Sequence, residues 1–331
     1  MPEIRKDPIL GHSIIVAEAR QKRPNDFAQK KQFSNACPFC SGNENLTPPE
    51  IYRLAPDNGT DNAAWELRVV PNKFPALDGD APLLPQSDGI YSKTSAPGRH
   101  EVLIETPLHS GRLEKLPIRH LADIIRTCAM RSSEMLKIPF IKYVMVFKNQ
   151  GRAAGASLEH PHTQIAGIPL PPKRVIEEIR SCKTYKDKHG KCLFCDIIRQ
   201  EENSRSRIIS ENTDFISFAP FASRTPFEIN IFPKGHLSFF EEITDIQSES
   251  LAEILQECLC RLSKAVPDLC YNMMFLTSPK SEILEDDRHI YHWHIEILPK
   301  LAQAAGFEWG TGFYINTMPP EQAAETLRKC G

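Results

Sequence analysis

The chain has 331 residues, with 40 Lys and Arg against 42 Asp and Glu, a formal net charge of −2 and an apolar fraction of 41%. At about 150 residues per domain this length points to two domains, each able to bury a core without disulfide staples. No stretch approaches the ~18 apolar residues of a membrane span and the start, Met1-Pro-Glu-Ile-Arg5, lacks the apolar core of a secretory signal, so a cytoplasmic protein is expected, while balanced charge argues against a dedicated nucleic-acid binder.

The first chemical signal along the chain is Cys37-Pro-Phe-Cys40. Its neighbours, Ser34-Asn35-Ala36 and Ser41-Gly42-Asn43, read as loop. A thioredoxin-like redox pair belongs at a helix start, so two thiolates forming half of a tetrahedral metal site is the better reading. After a Pro/Gly-rich stretch over 72–98, residues 101–105 are predicted as a strand ending at Pro107-Leu-His109. Leu121, Ile124, Ile125, Cys128 and Met135 make a helical stripe over 117–137, and 143–147 return as a strand. A polar loop over 149–159 then leads into His160-Pro-His-Thr-Gln164.

The same order recurs. Cys192-Leu-Phe-Cys195 opens the second half, a strand over 227–232 ends at Pro233-Lys-Gly-His236, a helix is predicted over 246–266 and a strand over 271–275, and His292-Trp-His-Ile-Glu296 closes the series. Such a coincidence of motifs in one order indicates duplication. The division is 1–180 for a half carrying the His-Pro-His-Thr-Gln segment and 181–331 for a catalytically degenerate half that contributes substrate contacts. The fold class expected is α+β, two equivalent halves forming a mostly antiparallel sheet flanked by helices.

Two ligand sets follow, Cys37, Cys40, His109 and His160, and Cys192, Cys195, His236 and His292, each a closed Cys₂His₂ pattern of the kind that holds structural zinc. A single histidine at a strand end is ordinarily only a polar residue; its repetition points to a ligand. The other six cysteines, Cys128, Cys182, Cys258, Cys260, Cys270 and Cys330, are expected as packing residues. On a strand His160, His162 and Gln164 share one face. If a metal holds His160, His162 stands about 6.6 Å further along with its imidazole free to attack phosphorus, and Gln164 can hold a phosphoryl oxygen. The preceding loop, Asn149-Gln-Gly-Arg-Ala-Ala-Gly-Ala-Ser157, has two glycines, one Arg, one Ser and no acid, whereas its counterpart over 278–288 carries four acids and no glycine. Phosphate is therefore expected only in the first half, and His294 is expected as a packed or substrate-contacting residue.

With these residues and with Arg5-Lys-Asp-Pro8, Arg20-Gln-Lys-Arg-Pro-Asn-Asp-Phe27, Val70-Pro-Asn-Lys-Phe-Pro-Ala-Leu77, Gly98-Arg-His-Glu-Val102 and Gly306-Phe-Glu-Trp-Gly-Thr-Gly312, the sequence resembles the galactose-1-phosphate uridylyltransferase family of the histidine-triad superfamily along essentially its whole length. The resemblance implies ping-pong transfer of a nucleotide through His162, with Gln164 and Ser157 on the phosphoryl oxygens, Arg20 and Arg23 on phosphate charge, Asn72 and Asn149 on the nucleotide and Glu308 on hexose hydroxyls. It also implies zinc at one or two sites per chain, with iron as an alternative at the second, a homodimer, and a nucleotide sugar with hexose 1-phosphate as substrates. The first reading is exchange of UMP between UDP-glucose and a hexose 1-phosphate such as galactose 1-phosphate, in galactose metabolism. Ala156 stands where the well-known uridylyltransferases carry Cys, Leu158-Glu159 precede the first His, and Lys73 follows Asn72 where Asp is usual. These departures and the second Cys pair resemble the ADP-glucose phosphorylase branch, in which orthophosphate removes an adenylyl group. A non-catalytic zinc adaptor for nucleic acid lacks the basic, aromatic-laced patch it needs.

Overall fold

In chain order the first half supplies β1 (Glu3–Lys6), β2 (Ser13–Val16), β3 (Tyr52–Leu54), β4 (Leu67–Pro71), β5 (Pro85–Asp88), β6 (Tyr91–Ser95), β7 (Arg99–Ile104), α1 (Ile118–Leu136), β8 (Tyr143–Gln150) and β9 (His162–Ile168). Then come α2 (Lys173–His189), α3 (Leu193–Ser204), β10 (Ile208–Glu211), β11 (Phe215–Phe218), β12 (Ile229–Pro233), α4 (Asp245–Ala265), β13 (Tyr271–Leu276), β14 (His294–Pro299), α5 (Gly306–Thr311) and α6 (Pro320–Lys329). This computed structural model describes residues 2–6, 13–16, 37–56, 64–77, 79–80, 82–280 and 290–331. Arg20 and Arg23, and most of the acidic segment over 278–288, lie outside the described residues.

Ten strands form one sheet in the order β10-β11-β12-β14-β13-β8-β9-β7-β4-β3, every pairing antiparallel. The order reads as five strands and their equivalents in reverse, joined where β8 meets β13, with Phe147 opposite Met274 and Asn149 opposite Asn272. The expected mostly antiparallel α+β architecture is the one observed. The predicted helices appear as α1 and α4. Leu121, Ile124, Ile125, Cys128 and Met135 of α1 are buried, and α4 starts on a capping box made by Thr244 and Gln247. Period-two alternation sorts the sheet residues: Val144, Val146, Ile165, Ile295 and Ile297 join the core beneath α1 and α4. His162, Gln164 and Asn149 belong to the opposite face, where the candidate site residues gather.

Other features differ from the sequence reading. The Pro/Gly-rich stretch holds the β5–β6 hairpin, which pairs with β1 in a separate four-stranded sheet, β2-β1-β6-β5. Helices α2 and α3 follow β9 unannounced, because α2 is rich in Lys, Arg and Glu and buries only Val175, Ile179 and Cys182. Of the six cysteines expected to pack, Cys128, Cys182 and Cys258 are buried and Cys260, Cys270 and Cys330 are half-buried. No helix among the described residues is long and apolar enough to cross a membrane.

Candidate active site

Cys37 and Cys40 sit in turns ahead of β3, His109 follows the end of β7, and His160 lies two residues before β9. Their ligand atoms all lie within 4.8 Å of one another. Cys37 Sγ is 3.7 Å and Cys40 Sγ 3.6 Å from His160 Nδ1, and Cys40 Sγ is 3.4 Å from His109 Nδ1. A tetrahedral ion with metal–sulfur bonds of about 2.3 Å and metal–nitrogen bonds of about 2.05 Å requires S···N edges of about 3.6 Å. The donor set therefore fits a zinc-sized ion. Burial lowers His160 to about 4 and raises Cys37 to about 11, so the imidazole is the neutral ligand form while the buried thiolate needs a cation beside it. His160 Nε2 donates to the Thr106 carbonyl at 2.8 Å, which turns its Nδ1 lone pair toward the cluster.

The second set repeats this geometry. Cys195 Sγ is 3.3 Å from His236 Nδ1 and 3.7 Å from His292 Nδ1, and His292 Nε2 donates to the Pro233 carbonyl at 2.8 Å. Here Cys192 is the cap of α3 and Cys195 lies in its first turn. Both groups could hold a metal ion.

His162 is 5% exposed and its Nδ1 donates to the carbonyl of His160 at 2.8 Å. A carbonyl only accepts, so the proton is on Nδ1 and Nε2 carries the lone pair. Phe39, between the paired cysteines, sets its ring edge-on to both histidines, at 5.9 Å from His160 and 5.5 Å from His162. Gln164, on the same face, is held through its Oε1 by His100 Nε2 at 3.0 Å. Asn72 also reaches His100, with Nδ2 at 3.2 Å from Nε2. The loop after β8 turns at Gly151, whose φ is +80° and where a Cβ would lie 2.4 Å from Cys270 Sγ, so glycine is required twice over. Ser157 is buried at the end of that loop, and Asn149 accepts from Asn272 Nδ2 at 2.8 Å. Glu308 stands apart from these groups on the exposed α5, where its carboxylate accepts the Ala305 N–H at 2.9 Å.

The family profile described as galactose-1-phosphate uridyl transferase, N-terminal domain, matches residues 1–170, and a profile described as a domain of unknown function matches 110–329. An ADP-glucose phosphorylase of Arabidopsis thaliana is 37% identical over 99% of this chain and 93% of its own length; a galactose-1-phosphate uridylyltransferase of Thermotoga maritima is 31% identical over 99% and 98%. The chain belongs to the galactose-1-phosphate uridylyltransferase family. It is accordingly a nucleotidyltransferase. The crystal structure of the Arabidopsis ADP-glucose phosphorylase with bound ADP-glucose superposes with a TM-score of 0.78, at 35% identity and 99% of both chains. A solved uridylyltransferase gives 0.82 at 31% identity, covering 99% of this chain and 98% of that one.

Within this family fold the second half departs at the equivalent of Gln164. Glu296 stands there, bonded by Arg174 and, at 2.7 Å, by Arg224. His294 also donates Nδ1 to the His292 carbonyl, at 3.1 Å, but its Nε2 faces Glu296 Oε1 at 3.8 Å and its ring stacks on Phe232 at 4.8 Å. Beside the seam a cavity of about 310 Å³ is lined by Phe147, Asn149, Asn272 and Met274, with Arg174 and Arg224 among its walls. The sequence reading missed His100 and the buried pair of Lys148 and Glu105 behind β9. His100 appears only inside a family motif. A lysine within an otherwise apolar strand, Lys148, was the available signal for the pair.

Proposed function

We propose that the protein transfers a nucleotidyl group through His162, exchanging UMP between UDP-glucose and a hexose 1-phosphate such as galactose 1-phosphate. The observation that carries this reading is the Nδ1-protonated, buried His162 beside Gln164, following the acid-free loop over 149–157. In the first step Nε2 forms a bond to the α-phosphorus, the bond from that phosphorus to the bridging oxygen breaks, and hexose 1-phosphate leaves with the electron pair. In the second step a phosphate oxygen of the incoming hexose 1-phosphate takes the nucleotidyl group and His162 returns to its starting form. Gln164 and Ser157 orient the phosphoryl oxygens, Arg20 and Arg23 meet phosphate charge, Asn72 and Asn149 bind the nucleotide, and Glu308 binds hexose hydroxyls. Cys37, Cys40, His109 and His160 would hold zinc next to the nucleophile, and Cys192, Cys195, His236 and His292 zinc or iron. Bound by the first set, an ion would hold rigid the strand end that carries His162.

A second reading, adenylyl transfer from ADP-glucose to orthophosphate, is favoured by the higher identity to the phosphorylase, 37% against 31%, and by Ala156 in the loop. Incubation with UDP-glucose or ADP-glucose alone followed by intact-mass measurement decides between them. A gain of UMP is expected; a gain of AMP alone replaces the donor, and a gain that persists in His162→Asn overturns the nucleophile. The active protein is a cytoplasmic homodimer. The support for the dimer is the exposure of Phe307, Trp309, Phe313 and Tyr314 at 53%, 80%, 71% and 59%, an apolar segment a partner can cover.

A further inference from the structure

A carboxamide presents a carbonyl oxygen on one side and an NH₂ on the other, and only the NH₂ can meet a phosphoryl oxygen. Whatever fixes the rotation of Gln164 therefore decides whether it attracts or repels the substrate. His100, on β7 next to β9, is buried against that carboxamide and is 8% exposed. The Ala76 N–H is directed at His100 Nδ1, at 3.5 Å, so Nδ1 is an acceptor and the neutral ring carries its hydrogen on Nε2. Nε2 then donates to Gln164 Oε1 at 3.0 Å, which commits the oxygen and turns the NH₂ outward. Asn72 is fixed from its other end, because Oδ1 accepts the Phe74 N–H at 2.9 Å and Nδ2 faces His100 Nε2 at 3.2 Å. A nitrogen that donates to Gln164 cannot also accept from Asn72. The Asn72 NH₂ is thus left for an acceptor that the ligand brings. The opposite tautomer reverses both outcomes: it would accept from Asn72, draw in the Gln164 NH₂ and present a carbonyl oxygen to the phosphate.

Resting on His162 as the nucleotidyl acceptor, we infer that His100 is a positioning residue whose Nε2–H tautomer sets the polarity of the Gln164 carboxamide and leaves the Asn72 NH₂ unclaimed, so that Gln164 and Asn72 offer N–H donors to the anionic part of the nucleotide sugar. The second half has no such device at the matching place. Glu296 can only accept there, and Arg174 and Arg224 satisfy it.

The test is the single-turnover rate at which the zinc-loaded protein gains nucleotide on His162, followed by intact mass. His100→Phe keeps a ring but no N–H and should slow the step about 10- to 100-fold, as expected for a misoriented donor to a developing charge. His100→Gln returns an N–H near the position of Nε2 and should recover most of the rate. His100→Phe added to Gln164→Ala should lose no more than Gln164→Ala alone, because His100 acts through that side chain. Additive losses, a wild-type rate in His100→Phe, or a His100→Gln variant as slow as His100→Phe with equal zinc content and melting temperature would each overturn the inference. If the wild type gains neither UMP nor AMP, the nucleotidyl reading falls. The inference is then decided by the ¹⁵N spectrum of the His100 ring: a proton on Nε2 whose shift moves in Gln164→Ala supports it, and a proton on Nδ1 overturns it.

Discussion

His162 and His294 each stand two residues after a histidine and make the same hydrogen bond back to its carbonyl, but what stands two residues later differs. Gln164 is neutral and can donate. Glu296 is an acceptor whose burial alone would raise its carboxyl, yet hydrogen bonds from His294 and Arg174 and the charges of Arg224 and Arg174 outweigh burial and hold it well below the usual carboxylate range. The sign follows from that depression: stability from Glu296 is complete above the ordinary carboxylate pKa of about 4.3 and is lost as pH falls below it. Glu296→Gln should cost about 2 kcal/mol at pH 7, reduced from the value for a fully buried pair because the Arg174 and Arg224 side chains are 40% and 25% exposed. Urea titrations should show the gap between variant and wild type narrowing from pH 7 to pH 3; a gap independent of pH would contradict the assignment. His294→Asn should leave nucleotide gain on His162 unchanged by intact mass, because its ring serves packing. The exchange of Gln for Glu could be read from sequence. Its consequence could not, because Arg174 and Arg224 come from 122 and 72 residues away.

At the scale of strands, β7, β8 and β9 are tied behind the site by an ion pair. Lys148 Nζ donates to both Glu105 oxygens at 2.9 Å and lies 3.4 Å from the His162 carbonyl, and Thr163 Oγ1 donates to Glu105 at 2.7 Å. The two charged side chains are 1% and 0% exposed. Lys148→Met alone leaves a dry carboxylate unpaired and should destabilise by about 3–5 kcal/mol. The double variant Lys148→Met with Glu105→Leu should regain most of that, since Met273 is the register partner of Lys148 and an apolar side chain suits the row. Chemical denaturation of the two variants measures the difference, and equal losses would mean that the pair contributes more than mutual neutralisation. Elements whose buried face is a wide apolar stripe, such as α1 and α4, were legible from periodicity. Helix α2 was not, because its mean composition is polar and its few buried residues find their partners only once both halves are assembled. The two Cys/His clusters were legible for a different reason: duplication displayed each member twice, while His100 and Lys148 have no repeated counterpart of the same type.

For the whole molecule, two-fold repetition of elements does not imply two units of folding. The seam between β8 and β13 is an ordinary antiparallel pairing with five registered residue pairs, from Tyr271 opposite Gln150 to Phe275 opposite Val146. One apolar cluster contains Ile125 and Cys128 of α1 together with Leu251, Leu255 and Leu259 of α4. On the other face α2 crosses the same junction, its Val175 and Ile179 packing with Tyr143 from the first half and Leu276 and Tyr291 from the second. We therefore propose that 1–180 and 181–331 are repeats of architecture that share one cooperative core, with the division at 180 falling inside the helix that clasps them. Separating them would bare the edge of β8, a ready template for aggregation, and the apolar face of α1. Urea unfolding of the zinc-loaded chain, followed by far-ultraviolet circular dichroism and by tryptophan fluorescence, should give superimposable single transitions. Trp65 reports on the first half and Trp293 on the core of the second. The isolated 1–180 fragment should be insoluble or bind a hydrophobic dye strongly. Two resolved transitions, or a 1–180 fragment that is soluble with the full chain's per-residue ellipticity, would show instead that each half closes its own core.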